Sequence, residues 1–573
     1  MKKLAMMTVK GAIGLLPSSV KSKLKNNHKL TEFYSRSLQR SGLFYGFPSK
    51  KKRRALYAHY LKQQQKQLEQ LGVAGIDTNS VAVVIVGERG AAQSIASLNK
   101  AGISKKHIYI VGKEKQNGAI ELAASLGEVV KAVSGYTYLL AINGGDTIMP
   151  EMVSVFLKWN TQASMIYCDT DKFDKKGNRK SPHFFPDWNP ELQFSSAYIS
   201  TGVLFSVRAL EQVDYKAATI AGMACALWLS DTAKPVAHIP LTLLHRSSNN
   251  KTGADELEDI ADVLQHYTHA VSAYNREFGI QHIQWPILDE PLVSLIIPTK
   301  NAKALVQACI NSILEKTTYK NYEILLIDNG SDERESIAYF QQLTEHPKIR
   351  VLEYPGPFNY SAINNFGVQH AKGDIVGLVN NDIEVIKPDW LTFMVGHASR
   401  HDVGCVGAKL LYSDDRVQHA GVVLGYGGGA GHAHKYFPRY HPGYLKRLVA
   451  TQNYSAVTAA CLLVKKSLFN AVGGLNEKDL TVAFNDVDFC LRVRECGVRN
   501  VYCAEAELYH HESVSRGLDL SPEKAARFKK ELDYLQTHWA HYIAHDPAYS
   551  PNLTLKRENF SVKTKEEFAA LRK

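Results

Sequence analysis

The sequence predicts an α/β protein built from two tandem copies of one domain, with a basic helical segment before them and a helical extension after them. Three observations carry that prediction. Beyond residue 75, short β-rich runs alternate with helix-length segments, the signature of an α/β fold. The stretch from Ser80, SVAVVIVGERGAAQSIASLNKAGISKKHIYIVGKE, and that from Leu292, LVSLIIPTKNAKALVQACINSILEKTTYKNYEILLIDNGS, share one layout: apolar strand, polar turn, helix, basic turn, apolar strand. Further on, YTYLLAINGGDTIMPEM from Tyr136 parallels DIVGLVNNDIEVIKPDW from Asp374, each an apolar strand ending in a small polar-acidic cluster before a proline. The expected division is therefore residues 1–75, 76–285, 286–516 and 517–573. A chain of 573 residues has room for these cores, and its 45% hydrophobic and 22% charged residues exclude wholesale disorder. No run reaches 18 apolar residues, which excludes an ordinary transmembrane helix.

The first segment holds the chain's excess charge. Residues 1–72 carry sixteen Lys or Arg against two acids, Glu32 and Glu69, a net of +14, whereas the remainder is slightly negative and the whole is +12. Charge so localised points to a local anionic partner and away from a protein that coats nucleic acid. Leu4, Met7, Val9, Ile13, Leu15 and Leu16 are expected to lie on a membrane while neighbouring lysines meet anionic head groups; the alternative is a solvated helical hairpin. Lys10 interrupts the apolar stretch and no small-residue cleavage site follows, so no signal peptide is expected. Eight scattered cysteines without CxxC pairs read as reduced core residues of a cytoplasmic protein.

In an open α/β sheet, ligands bind outside the carboxyl ends of the strands. In the second copy those positions are Thr299 to Asn301 after LIIP, Asp328 and Asn329 after ILLI, and Asn380 to Asp382 after IVGLV. A carboxylate at Asp328 suits a base or ribose hydroxyl, and one at Asp382 suits a hard cation bridging a diphosphate. In AFNDVDFCLRVRECG, Asp488 and Arg492 stand at i, i+4 and can pair on a helix, which leaves Asp486 on the opposite side to face a cleft as a general base. The last strand run, VYCAEAELYHHES, delivers His510 and His511, one of which can complete a metal site.

From about Pro291 to Gly517 the sequence resembles a glycosyltransferase family 2 catalytic domain of the GT-A fold. PFNYSAINNFGVQHAKGDIVGLVNNDIEV, QHAGVVLG, AVTAACLLVKKSLFNAVGGLNE, FNDVDFCLR and AELYHHES carry the resemblance. It implies that Thr299 and Asn301 border a nucleotide pocket, that Asp328 binds the nucleoside, and that Asn365 lies near the base. It places Asn380 to Asp382 at the family's DXD, with Asn381 beside the donor and Asp382 on a divalent Mn²⁺ or Mg²⁺; Asn380 departs from the first aspartate. Asp486 matches the catalytic base, although Asn485 replaces the usual Glu. His510 best matches the third metal-site residue, with His511 its rival. The first copy resembles the same family through YCDTDKFDKKGNRKSPHFFPDWNPELQFSSAYIS, but its chemistry looks erased: Asn143 to Asp146 stand where the DXD belongs, Gly222 at the base and Ala224 at the following acid, and only His245 persists.

The resemblance implies an inverting glycosyltransferase that moves a sugar from a nucleotide-diphosphate sugar to a glycan or lipid-linked acceptor in surface polysaccharide assembly. It would work in the cytoplasm, peripherally on the inner face of the plasma membrane. The competing reading is a non-catalytic glycan or nucleotide-sugar binding scaffold, which donor hydrolysis would separate. A nucleotidyltransferase needs a glycine-rich loop that IIPTKNA lacks. A dinucleotide-binding reading of VVLGYGGGAG fails because Pro438 and Pro442 stand where its helix would run. In GHAHK, His432 and His434 can be read as metal ligands or as part of a loop shaping the acceptor cleft.

Overall fold

VAVVIV, residues Val81–Val86, forms a strand (β1) whose side chains are buried on both faces, as an unbroken apolar run requires at the centre of a parallel sheet. It sits in a nine-stranded sheet with β2 Ile108–Val111, β3 Glu121–Ala123, β4 Tyr138–Asn143, β5 Thr147–Ile148, β6 Met165–Phe173, β7 Arg179–His183, β8 Val203–Ser206 and β9 Val236–His245. The order is β3-β2-β1-β4-β8-β6-β9-β5, with β7 paired to β6. A two-stranded pair follows, β10 Val271–Asn275 and β11 Ile280–Gln284. This computed structural model describes residues 47–112, 121–159, 162–247, 253–511 and 521–570, with a scatter of positions among the first 46.

The second large sheet has ten strands. They are β12 Val293–Thr299, β13 Tyr322–Asp328, β14 Ile349–Glu353, β15 Ile375–Val379, β16 Ile383–Val385, β17 Val403–Leu411, β18 Val417–His419, β21 Gln452–Asn453, β22 Cys461–Lys465 and β23 Arg499–His510; β19 Val422–Leu424 and β20 Ala430–His432 form a separate pair. The order β14-β13-β12-β15-β22-β17-β23-β16 repeats that of the first sheet strand for strand. The pattern of pairing also repeats. Parallel pairs flank β1 and β12, antiparallel pairs join β4 to β8 and β15 to β22, and β6/β9 and β17/β23 are parallel. The second core gathers Leu295, Ile310, Leu326, Trp390, Val406 and Leu463, all with no exposure. Side chains of this size each contribute about 1.5–3 kcal/mol on burial.

The chain divides into two compact units. One comprises residues 48–283 with 549–554 and 561–573; the other comprises 284–548 with 555–560 and the first 47. The helix Lys50–Leu71 (α1) therefore belongs with the first sheet, and the boundary expected at residue 75 falls before Pro48. Its inner face sets Tyr57, Tyr60 and Gln64 between Leu56 and Leu68: Tyr60 donates to Gln64 (2.8 Å), and Gln64 exchanges bonds with the Thr242 backbone at 2.7 and 3.1 Å. Of the apolar positions proposed for a membrane surface, Met7 and Val9 are exposed and Ile13 and Leu16 half-buried, whereas Leu4 and Leu15 lie outside the described residues. No described helix is long and apolar enough to cross a membrane. Seven cysteines are buried, whereas Cys496, at the end of the helix Asn485–Glu495, is exposed.

In the first sheet Asp146 precedes β5 as Asp382 precedes β16, and Thr147 pairs with His245 as Ile383 pairs with His510. An acid, Asp146, thus persists in the segment Asn143 to Asp146 whose chemistry the sequence reads as erased. Asp146 is fully buried and committed to Thr201 (2.8 Å) and the Ser247 amide (2.7 Å). His245 turns to Asp171 (2.5 Å), which also takes Arg179 (2.6 Å) and the Tyr57 hydroxyl of α1. Gly222 lies in the helix Ile220–Ser230 (α2), where a Cβ would stand 2.0 Å from Asp259 Oδ2. Asp259, on the helix Ala254–Thr268 (α3), accepts from the Thr219 amide and hydroxyl at 2.8 and 2.7 Å. The carboxylate that caps α2 therefore occupies the space any side chain at Gly222 would need.

Candidate active site

Asn380 to Asp382 leave the end of β15 beside β12, where the connections run to opposite sides of the sheet, the switch point at which such sheets bind ligands. Asp382 is 7% exposed, and its Oδ1 lies 3.1 Å from His510 Nε2. The register Ile383 to His510 brings the two together from distant parts of the chain. His510 Nδ1 meets Gln418 Oε1 at 2.6 Å, and its Nε2 meets the Asn380 amide nitrogen at 3.1 Å. An amide N–H can only donate, so Nε2 carries the lone pair and Nδ1 the proton. That lone pair and a carboxylate oxygen thus face one another. Two ligands at right angles about an octahedral ion at ~2.1 Å stand about 3 Å apart, so the pair fits a hard divalent cation. Among the described residues no group of three or more His, Cys, Asp or Glu is placed to hold a metal. His511 points to the other face of β23, bonded to Ser413 (2.7 Å) and Glu384 (3.1 Å).

A second chain of contacts crosses the strand ends. The Asn381 amide donates to Thr299 Oγ1 (2.9 Å), and Thr299 donates to the Asn301 carbonyl (3.3 Å). The Asn301 N–H donates to Ser331 Oγ (2.7 Å), which with its own N–H donates to Asp328 Oδ1 at 2.5 and 3.0 Å. Asp328 Oδ2 takes no partner among the described residues. Asn301 adopts φ 54°, and its side-chain oxygen receives the Asp332 and Glu333 amides, so it fixes the loop after β13. Asn365 stands apart on the helix Tyr360–His370 (α4). Its amide is spent on Leu475 and Glu477, and it lines a different pocket with Phe469 and Gly474.

Asp486 is the second residue of the helix Asn485–Glu495 (α5). Phe484 starts that helix at φ 58°, a left-handed conformation costly for a bulky residue, and its ring packs on Phe528 at 5.4 Å. Asp488 does pair with Arg492 (2.9 Å) and also takes the Trp539 indole N–H (2.9 Å), while Asp486 lines a cleft of ≈ 370 Å³ with Asn380, Gln418, His432 and His510. Burial pushes the Asp486 carboxyl above the ordinary range, partly offset by bonds from the Ala459 amide (3.1 Å), the Thr458 hydroxyl and the Val487 amide (2.9 Å). A carboxylate made more basic while still reaching a cleft suits proton abstraction.

Sequence reasoning missed the residues that hold this helix. Glu531, 1% exposed on the helix Pro522–His538 (α6), accepts from the Thr481 hydroxyl (3.0 Å) and the Val482 and Ala483 amides (2.9 and 3.1 Å) just before α5. No local pattern marks it, because its partners lie about fifty residues away. Glu531→Ala leaves those donors without a carboxylate, at about 1–3 kcal/mol for each one left unsatisfied. Thermal unfolding and turnover are therefore expected to fall together; an unchanged melting midpoint would contradict the role. Of the loop histidines, His432 bonds His419 (2.8 Å), whereas His434 accepts from the Tyr444 amide (3.1 Å) and stacks on Phe560. They diverge and do not form a metal pair. Gly425 and Gly427, both with positive φ, turn the chain from β19 into β20 through a single 3-10 turn, Tyr426–Gly428, and no α-helix opens there.

Residues 294–473 match the glycosyl transferase family 2 model. The chain is 41% identical over 472 residues to an uncharacterized protein, y4gI, of Sinorhizobium fredii, covering 78% of this chain and 50% of that one. It is 33% identical over 440 residues to the O-antigen biosynthesis protein RfbC of Myxococcus xanthus, covering 72% and 33%. Over 241 residues it is 26% identical to the N-acetylglucosaminyl-diphospho-decaprenol L-rhamnosyltransferase of Mycobacterium tuberculosis, covering 39% and 77%. The chain thus spans half of the first of these relatives and a third of the second.

Proposed function

We propose that the protein is an inverting glycosyltransferase that moves a sugar from a nucleotide-diphosphate sugar to a hydroxyl of a glycan or lipid-linked acceptor in surface polysaccharide assembly. The observation that carries this is Asp486, made more basic by burial, in one cleft with His510 and its partner Asp382 at the carboxyl ends of the sheet; Asp382 lies within the family 2 match, and Asp486 and His510 follow it in the chain. The name of the Myxococcus relative supports the polysaccharide setting.

Asp328 Oδ2 would take a nucleoside hydroxyl, and Thr299, Asn301 and Asn381 would border the nucleotide. Asn365 is left with a loop-closing role. Asp382 and His510 would hold Mn²⁺ or Mg²⁺, which when bound neutralises charge developing on the leaving diphosphate. Asp486 removes the proton from the acceptor hydroxyl as that oxygen attacks the anomeric carbon opposite the leaving group. One displacement inverts the anomeric centre and needs no covalent enzyme intermediate.

The shared strand order supports two tandem GT-A domains, the first without transfer chemistry: its acid and histidine are spent internally and Asp259 fills the base position. The test of the function is incubation of the protein with a panel of nucleotide sugars, with and without octyl glycoside acceptors. Absence of both hydrolysis and transfer across the panel would remove the enzyme reading.

The basic residues 1–72 support reversible binding to an anionic membrane, at about 1 kcal/mol per Lys or Arg near the surface. The protein is expected to sediment with vesicles containing phosphatidylserine and to be released by raised salt. Deleting residues 1–46 should weaken sedimentation; equal sedimentation without them would assign the basic segment another partner.

A further inference from the structure

His419 ends β18 without exposure, and His432 ends β20 half-buried on the wall of the cleft that Asp486 lines. Their Nδ1 atoms are 2.8 Å apart, so one must donate and the other accept. The other nitrogen of His419 decides which. His419 Nε2 faces the backbone amides of Gly421 (3.3 Å) and Thr458 (3.5 Å), which can only donate. Nε2 is therefore the acceptor, and the proton of a neutral His419 is on Nδ1. It donates to His432 Nδ1, which leaves the proton of His432 on Nε2. No described protein group takes that N–H.

Neutrality is built into the pair. Burial pushes both imidazoles down, His432 to about 3, with Lys435 and His510 adding to the effect on His432 and His432 and His510 on His419. An imidazolium in this cleft would favour the charged form of Asp486 and weaken it as a base. A neutral N–H can hold an oxygen without that penalty.

We propose that His432, locked as the Nε2–H tautomer by His419, is an acceptor-binding residue that donates to an acceptor hydroxyl oxygen next to the one that attacks. This rests on the glycosyltransferase reading and assigns the cleft beside Asp486 to the acceptor sugar. His419 is then a positioning residue, setting the tautomer through its Nδ1–H. Water as acceptor needs no such placement. Donor hydrolysis and transfer should therefore respond differently.

The test compares wild type, His432→Phe and His432→Gln, using the nucleotide sugar the enzyme hydrolyses and an octyl glycoside it glycosylates. His432→Phe is expected to raise the acceptor KM roughly 3- to 10-fold, the size of one neutral hydrogen bond, and to lower transfer more than donor hydrolysis. His432→Gln, which can accept from His419 and still present an N–H, should recover most of the loss. Equal acceptor KM in His432→Phe, or equal loss of hydrolysis and transfer, overturns the proposal while leaving the enzyme reading intact. Nitrogen-15 spectra of the histidine-labelled full-length protein test the tautomer without any activity. An His432 signal protonated at Nε2 supports the assignment, and one protonated at Nδ1 overturns it even if no substrate is turned over.

Discussion

Asp486→Asn is expected to lower turnover by roughly 10²- to 10⁴-fold, the range for removing a general base, with nucleotide-sugar affinity close to wild type. Asparagine keeps the size of the side chain, and its oxygen can still accept from the Ala459 or Val487 amide, so the start of α5 should survive. What disappears is the capacity to take a proton. The pH dependence gives a second reading of the same group. The Asp486 carboxyl titrates above the ordinary carboxylate range because it is buried, so the acidic limb of kcat/KM should lie above about 3.9. Activity rises with pH through that limb as the base loses its proton, and in the Asn variant the limb should vanish. Steady-state kinetics across pH check both statements. Wild-type turnover in the variant would remove Asp486 from the mechanism, and substantial residual transfer with an unaltered limb would point to chemistry in the first sheet.

Much of this arrangement is legible in the sequence because the strands at the site are short apolar runs that stop at a polar cluster. The ends of β12, β13 and β15 can be read directly, as can the pairing of Asp488 with Arg492 that leaves Asp486 for the cleft. Two kinds of feature were not legible. Long-range carboxylate caps such as Glu531 and Asp259 have partners fixed only by the fold. Amide side chains were the other kind. Asn365 and Asn301 sit in motif positions that suggest ligand contact, yet an amide can equally close a loop, and both do so here. Helix α1 shows the same limit, since the centre of its buried face, between Leu56 and Leu68, is Tyr60 and Gln64, which hydropathy does not mark as buried. His510 and His511 were equivalent as letters. The alternation of a strand separates them, sending one to Asp382 and the other to Glu384.

Replacing Asp382 or His510 by Ala is expected to weaken Mn²⁺-dependent nucleotide binding by at least about 10- to 100-fold, the loss produced by removing even outer-shell partners of a metal. His511→Ala should leave it unchanged, because that ring is held by Ser413 and Glu384. Asn380 makes the assignment sharper. Its amide N–H donates to the same Nε2 lone pair that a cation would use, and its oxygen receives the Tyr360 hydroxyl at 3.1 Å. A bound ion must displace the first of these bonds, and it meets one negative charge fewer than two aspartates would supply. Asn380→Asp removes the competing donor and adds that charge, so it should tighten Mn²⁺ binding. Titration calorimetry with Mn²⁺ and a panel of nucleoside diphosphates would measure all four variants. If wild-type nucleotide affinity is the same with and without Mn²⁺, and a chelator leaves transfer intact, Asp382 and His510 do not form a metal site and their pairing serves only to close β16 against β23.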